Sequence, residues 1–169
     1  MRFSPAALAV VFAGLSISTS LQGQGVGAPV DPRSMALLAQ GRADAAAGNL
    51  QGATDLIETA LVVDPRNRAA FLELAAVAER QGLPGKAIRL YREALLIEPN
   101  DPAALRGQGE ALVAKGAIGP ARENLAKIKT LCGKKPCPDA VSLSASIAKG
   151  PPPSATPPAT VPETADASK

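Results

Sequence analysis

Three glycines stand 34 residues apart, Gly48, Gly82 and Gly116, and three alanines, Ala53, Ala87 and Ala121, keep the same step. Asp64-Pro65 returns as Glu98-Pro99, and Ala60 returns as Ala94 and then as Ile128. This period constrains the fold more than any other feature. A unit of that length cannot bury its apolar face alone and must stack on its neighbours.

Each unit reads as two helices. AAFLELAAVAERQG carries apolar residues at Phe71, Leu74, Ala75 and Ala78, the 3–4 spacing of one helical face. Gly82 supplies the left-handed residue that ends it, and Pro84 suits the first turn of the next helix, where no N–H is needed. That helix places Ala87, Ile88, Tyr91, Ala94 and Leu95 on one face and stops before Pro99. In the third copy Asp101 is the expected N-cap, with Pro102 at the first helical position. Small residues recur where two helices must approach: Gly41, Ala75 and Gly109 in the first helix, Ala53, Ala87 and Ala121 in the second. Large ones flank them, Leu37, Phe71 and Leu105, then Ile57, Tyr91 and Leu125.

Over about residues 34–133 the pattern resembles the tetratricopeptide repeat (TPR), in which small and large residues alternate in this way over 34 positions. The signature residues are Gly41, Ala53, Ala60, Pro65, Ala75, Ala87, Tyr91, Ala94, Pro99, Gly109 and Ala121; Gln40 and Gln108 depart from it where a leucine is usual. The resemblance implies an all-α fold, a right-handed α-solenoid of three helix-turn-helix units (34–67, 68–101, 102–133). A C-terminal capping helix is expected at 139–149, with Asp139 as N-cap and Ala140, Leu143 and Ile147 on its inner face.

The two ends differ in composition. Residues 1–20 have the order of a secretory signal: Arg2, an apolar run from Pro5 to Ile17, then small polar residues with a cut between 20 and 25. That run is shorter than the about 20 residues a spanning helix needs, so no membrane span is expected after cleavage, an uncleaved anchor being the alternative. Residues 21–33 read as a flexible lead-in. Residues 150–169 are rich in proline, with Val161 the one large apolar side chain, and read as disordered. The net charge of +3 becomes +2 without Arg2, and only Phe71 and Tyr91 remain as aromatics beyond the signal. Nucleic-acid binding is therefore not expected.

Cys132 and Cys137 are the only two cysteines, placed after the third unit. Zinc needs about four ligands, and the chain has no histidine. A redox pair is usually C-x-x-C at a helix N-terminus, whereas Cys132 is expected at a helix C-terminus, where the dipole raises a thiol pKa. In an exported chain a structural disulfide is the simplest reading, contributing about 2 kcal/mol for so short a loop. The chain also resembles small exported TPR proteins of Gram-negative bacteria that carry a cysteine pair after the last repeat, which implies a periplasmic location.

The resemblance implies an interaction protein without catalytic residues or cofactors, whose partner is a peptide or helix of another protein. The expected groove residues are Leu38, Arg42, Leu72, Ala76, Glu79, Arg106, Glu110 and Val113. The Lys and Asn of the carboxylate clamp that binds chaperone tails are missing. An oligomerising structural subunit of an envelope assembly and a thiol-redox protein are the alternatives. Catalysis has little to build on without histidine, and GLPGKA lacks the spacing and the Ser or Thr of a phosphate loop.

Overall fold

The computed structural model describes residues 29–153, so the signal reading and most of the tail reading fall outside the described residues. The described chain is all-α: α1 (Pro32–Ala46), α2 (Leu50–Val63), α3 (Arg68–Arg80), α4 (Pro84–Ile97), α5 (Pro102–Ala114), α6 (Ile118–Cys132) and α7 (Pro138–Lys149). They pack as successive hairpins α1–α2, α3–α4 and α5–α6, with α7 laid against both α5 and α6.

The turn inside each hairpin is one structure made three times. Gly48, Gly82 and Gly116 have φ of 85°, 72° and 78°, a region L side chains avoid. In each copy the glycine N–H donates three residues back, at 3.0, 2.9 and 2.8 Å, and the next N–H donates five back, at 2.9 Å, the Schellman pattern that satisfies the last carbonyls. The period in the sequence is thus a period in backbone geometry.

Turns between hairpins are capped by side chains. Asn67 caps α3 by accepting from the Ala70 N–H at 3.2 Å, and its amide donates to Ser34 Oγ at 2.8 Å. Ser34 in turn donates to the Ala60 carbonyl at 2.8 Å, so one fully buried chain of hydrogen bonds ties α1, α2 and α3. Asp101 caps α5 by accepting from Ala103 and Ala104, and its other oxygen pairs with Arg68.

Apolar packing is continuous along the stack. Leu38, Ile57, Leu74 and Val77 fill the first section. Tyr91 sits among Ala75, Ala78, Ala87 and Ala111. Leu105, Ile128, Ala140 and Leu143 close the end. With so few aromatics, close approach replaces bulk. Gly41 lies under Ile57 of its own hairpin, as expected. Gly109 instead lies under Leu143 of α7, so this small residue seats the cap helix.

Helix α7 begins at Pro138, one residue before the expected start, and Cys137 rather than Asp139 is its N-cap residue. Asp139 falls in the first turn and points to Arg106 instead. Cys132 and Cys137 are disulfide-bonded, with Cα atoms 5.9 Å apart, linking the end of α6 to the start of α7. No helix among the described residues is long and apolar enough to cross a membrane.

Candidate functional site: the inner face of the stack

The first helices of the hairpins touch one another, α1 with α3 and α3 with α5, and α7 extends the row. Their shared surface is the inner face on which the groove residues were expected. Leu72 and Ala76 are half-buried there, on the outward side of α3.

Leu38 and Val113 are not available to a partner, being 0% and 3% exposed. For Leu38 the cause is the rotation of α1, whose buried stripe is Ser34, Leu38, Gly41 and Ala45. Leu38 thereby faces the hairpin core. Val113 lies near the end of α5, beside Ser146 and Lys149 of α7 and Pro151–Pro153.

The charged residues are paired within the fold. Arg42 Nε donates to Glu73 Oε2 at 2.8 Å, bridging α1 to α3. Arg80 Nη1 donates to the Ala45 carbonyl at 2.7 Å across the same seam. Arg106 donates to Asp139 of α7 and to Glu110 on its own helix, each at 2.9 Å. Glu110 also accepts from Ser142 Oγ at 2.8 Å. Burial opposes the Arg106 charge, but Asp139 and Glu110 hold its pKa above the ordinary value. The contacts between helices brace the stack; sequence reasoning missed them because their partners lie 31 to 35 residues away.

Glu79 is the exception. Its carboxylate accepts from Tyr91 Oη at 3.0 Å and makes no ion pair among the described residues. Burial pushes its pKa up to about 7; the Tyr91 hydroxyl opposes that, the Glu110 charge adds to it, and Arg106 lowers it. The Tyr91 hydroxyl is itself raised above its ordinary range, by burial and by the Glu79 charge. Glu79 borders a cavity of about 280 Å³ with Gly82, Pro84, Ala114 and Pro152, at the C-terminal ends of α3 and α5. Their N-terminal ends are held together by the Arg68–Asp101 pair.

Among the described residues there is no group of His, Cys, Asp and Glu able to hold a metal. Gly107, which sequence reasoning passed over, is buried under the Tyr91 ring. The repeat-signature alanines Ala53, Ala60, Ala75, Ala87, Ala94 and Ala121 are all 0% exposed, whereas Pro65 and Pro99 lie on exposed turns.

Residues 68–111 match the tetratricopeptide repeat family. No curated protein matches this sequence. The fold is similar to the Sgt2 TPR domain from Aspergillus fumigatus, 26% identical, with a TM-score of 0.63 over 81% of this chain and 93% of that one. It is also similar to the first TPR of Spaghetti (RPAP3) bound to an HSP90 peptide, SRMEEVD, at 18% identity and TM-score 0.64, covering 73% of this chain and 97% of that one. A third similar structure is the Yersinia enterocolitica type III secretion chaperone SycD in complex with a peptide of the translocator YopD, at 22% identity and TM-score 0.59, covering 68% of this chain and 86% of that one. Repeat spacing, hairpin geometry and the family match over residues 68–111 agree on a fold of the tetratricopeptide repeat type.

Proposed function

We propose that this protein is an exported, non-enzymatic adaptor that takes an extended peptide or a helix of a partner protein on the inner face formed by α1, α3, α5 and α7. The observation that carries this reading is a braced stack whose inner charges are used internally, leaving Leu72, Ala76 and the α3–α5 cavity facing outward. Similar folds have peptides of an HSP90 tail and of a translocator bound to them. The inner face here differs from one made for an acidic tail. Arg42 and Arg106 are already neutralised by Glu73, Asp139 and Glu110, and Glu79 adds a further carboxyl. Arg42 and Arg106 are thus not free to pair with an acidic peptide, so a neutral segment is the better fit. The Cys132–Cys137 bridge supports export, since such bonds persist in oxidising compartments.

The test is photo-crosslinking in cells, with the probe at Ala76 and, as a control, at Glu93 on the exposed side of α4. One recurrent partner from Ala76, absent from Glu93 and lost in a Leu72→Asp background, is the expected result. Adducts only between copies of the chain would replace the adaptor with an oligomerising subunit. Fractionation of the same cells, with the mature N-terminus read by mass spectrometry, tests export.

A further inference from the structure

The arginines of the inner face are occupied: Arg42 by Glu73, Arg80 by the Ala45 carbonyl, and Arg106 by Asp139 and Glu110. Glu79 is different. Tyr91 Oη donates to its Oε2 at 3.0 Å, while no donor among the described residues reaches Oε1, which stays open to the surface. This carboxyl forms one wall of the cavity of about 280 Å³, and the other walls are apolar: Pro84 of α4, Ala114 of α5 and Pro152, with Gly82 beside them. Pro152 is brought there because Gly150 ends α7 at φ 78° and Pro151–Pro153 then pass the end of α5. One carboxyl among apolar walls complements a long basic side chain, whose methylene stem packs on apolar surface while its head keeps a polar partner. The volume agrees. Clefts that enclose whole small molecules run to about 300–1,000 Å³, so this one is sized for a side chain. Its place agrees too, because the C-terminal ends of helices favour positive charge, and α3 and α5 both end here.

We propose that the α3–α5 cavity is a side-chain pocket that takes one lysine or arginine from an otherwise neutral segment, with Glu79 pairing the cation. That the cation arrives on a partner protein rests on the adaptor reading. The groups around Glu79 are consistent with this role. Burial opposes its charge and Glu110 of α5 adds to that, while the Tyr91 hydroxyl of α4 and Arg106 of α5 act the other way, leaving a pKa of about 7. Arg106 is the cation on an adjacent helix, and it is already held by Asp139 and Glu110. A basic side chain in the pocket supplies the counter-charge that the fold does not, so binding takes up the ionised carboxylate. Lys149 of α7 is the internal rival. It lines the adjoining cavity with Glu110 and makes no ion pair among the described residues.

The test is NMR titration of the full-length chain with a capped pentapeptide, acetyl-AARAA-amide, and with its counterpart carrying citrulline, which keeps the shape of arginine and removes the charge. Expected at pH 8 are saturable shifts of the Gly82 and Ala114 amides, with the citrulline peptide about tenfold weaker. Glu79→Gln is expected to abolish that preference while the spectrum stays folded. Ala114→Leu, which fills the pocket and leaves the charge, is expected to weaken the arginine peptide as well. Between pH 8 and pH 6 the ionised fraction of Glu79 falls from about nine-tenths to about one-tenth, so the arginine peptide is expected to bind about tenfold more weakly at pH 6. A carboxyl with only a structural role would not move that ratio. Equal binding of the two peptides, or a preference that survives Glu79→Gln, would overturn the proposal. So would shifts centred on Val141 and Ala145 of the α6–α7 face. A preference that appears only in a Lys149→Ala variant would show the pocket to be filled from within the chain, and would overturn it equally. If Ala76 crosslinks name a partner but the peptides are not distinguished, the pocket fails and the adaptor stands. If the arginine peptide is preferred but no partner crosslinks, the cation site stands and the adaptor fails.

Discussion

At the scale of single residues, two side chains decide how tightly the hairpins close and how the inner face titrates. Gly107 exists for Tyr91: a Cβ there would come within 2.6 Å of the Tyr91 hydroxyl and overlap the ring. Gly107→Ala is expected to cost about 1–3 kcal/mol through forced repacking. Gly119→Ala, at a helical position with nothing within 4 Å, is expected to stay within about 1 kcal/mol of the parent, on the stabilising side. Urea denaturation of the two variants side by side checks both. Glu79 makes stability depend on pH. Its pKa is about 7 in the fold against an ordinary value of 4.5, so the folded protein holds the proton more tightly than the unfolded chain. Its contribution is fully present below the unfolded value and is lost as pH rises through the folded one. Glu79→Gln keeps an acceptor for Tyr91 and removes the ionisation. It is expected to leave stability at pH 4 little changed and to raise it at pH 8 by roughly 1–2 kcal/mol, the shift being discounted for the part of the carboxyl that water reaches. Thermal melts of both proteins at the two pH values measure the difference.

At the scale of elements, α7 depends on the rest of the molecule more than any other helix does. Its one fully buried large side chain, Leu143, rests on Gly109 and packs with Leu105 and Ile128. Arg106–Asp139, Ser142–Glu110 and the disulfide hold its start and middle. Leu143→Ala is expected to cost about 2–5 kcal/mol, as buried leucine deletions do. Replacing both cysteines by serine is expected to cost about 2 kcal/mol, because the constrained loop is short. Hydrogen exchange should localise both losses to α7 and the end of α6, with α1 and α2 unchanged. Uniform loss across all seven helices would mean that the cap is not a separable element. Most of the helices were legible in the sequence, since their boundaries are written locally by a proline, a cap or a glycine, although α1 begins at Pro32, capped by Asp31, inside the stretch that read as a lead-in. The start of α7 was misplaced because Asp139 looks like a cap in isolation. The cap position falls on Cys137, the residue fixed by the bridge, and Asp139 is directed to Arg106 one helix away.

For the whole molecule, the controlling fact is that each hairpin contacts only its neighbours along the stack. The central hairpin, α3–α4, is covered on both sides, while α1–α2 and α7 each have one free flank. Native-state exchange is expected to show the greatest protection in Leu74–Ala78 and Ala87–Ala94, falling toward both ends. A flat profile would show instead that the described stack opens as one unit. The same connectivity explains why the inner face was harder to read than the hairpins. The resemblance to the repeat family implies an inner surface carrying Arg42, Glu79, Arg106 and Glu110, but their availability depends on what the next helix offers at that height. Glu73, Asp139 and Ser142 are that offer.

The sequence by itself determined the repeating unit, the hairpins and the three glycine turns, because these follow from contacts and torsions within a few residues of one another. Only the tertiary structure decided that Leu38 and Val113 are core, that Gly107 serves Tyr91 and Gly109 serves Leu143, that the inner arginines are braces, and that Pro151–Pro153 lie against α5. Each of these depends on how one helix is rotated and spaced against another. That relation is set by packing the whole stack, and no local pattern carries it.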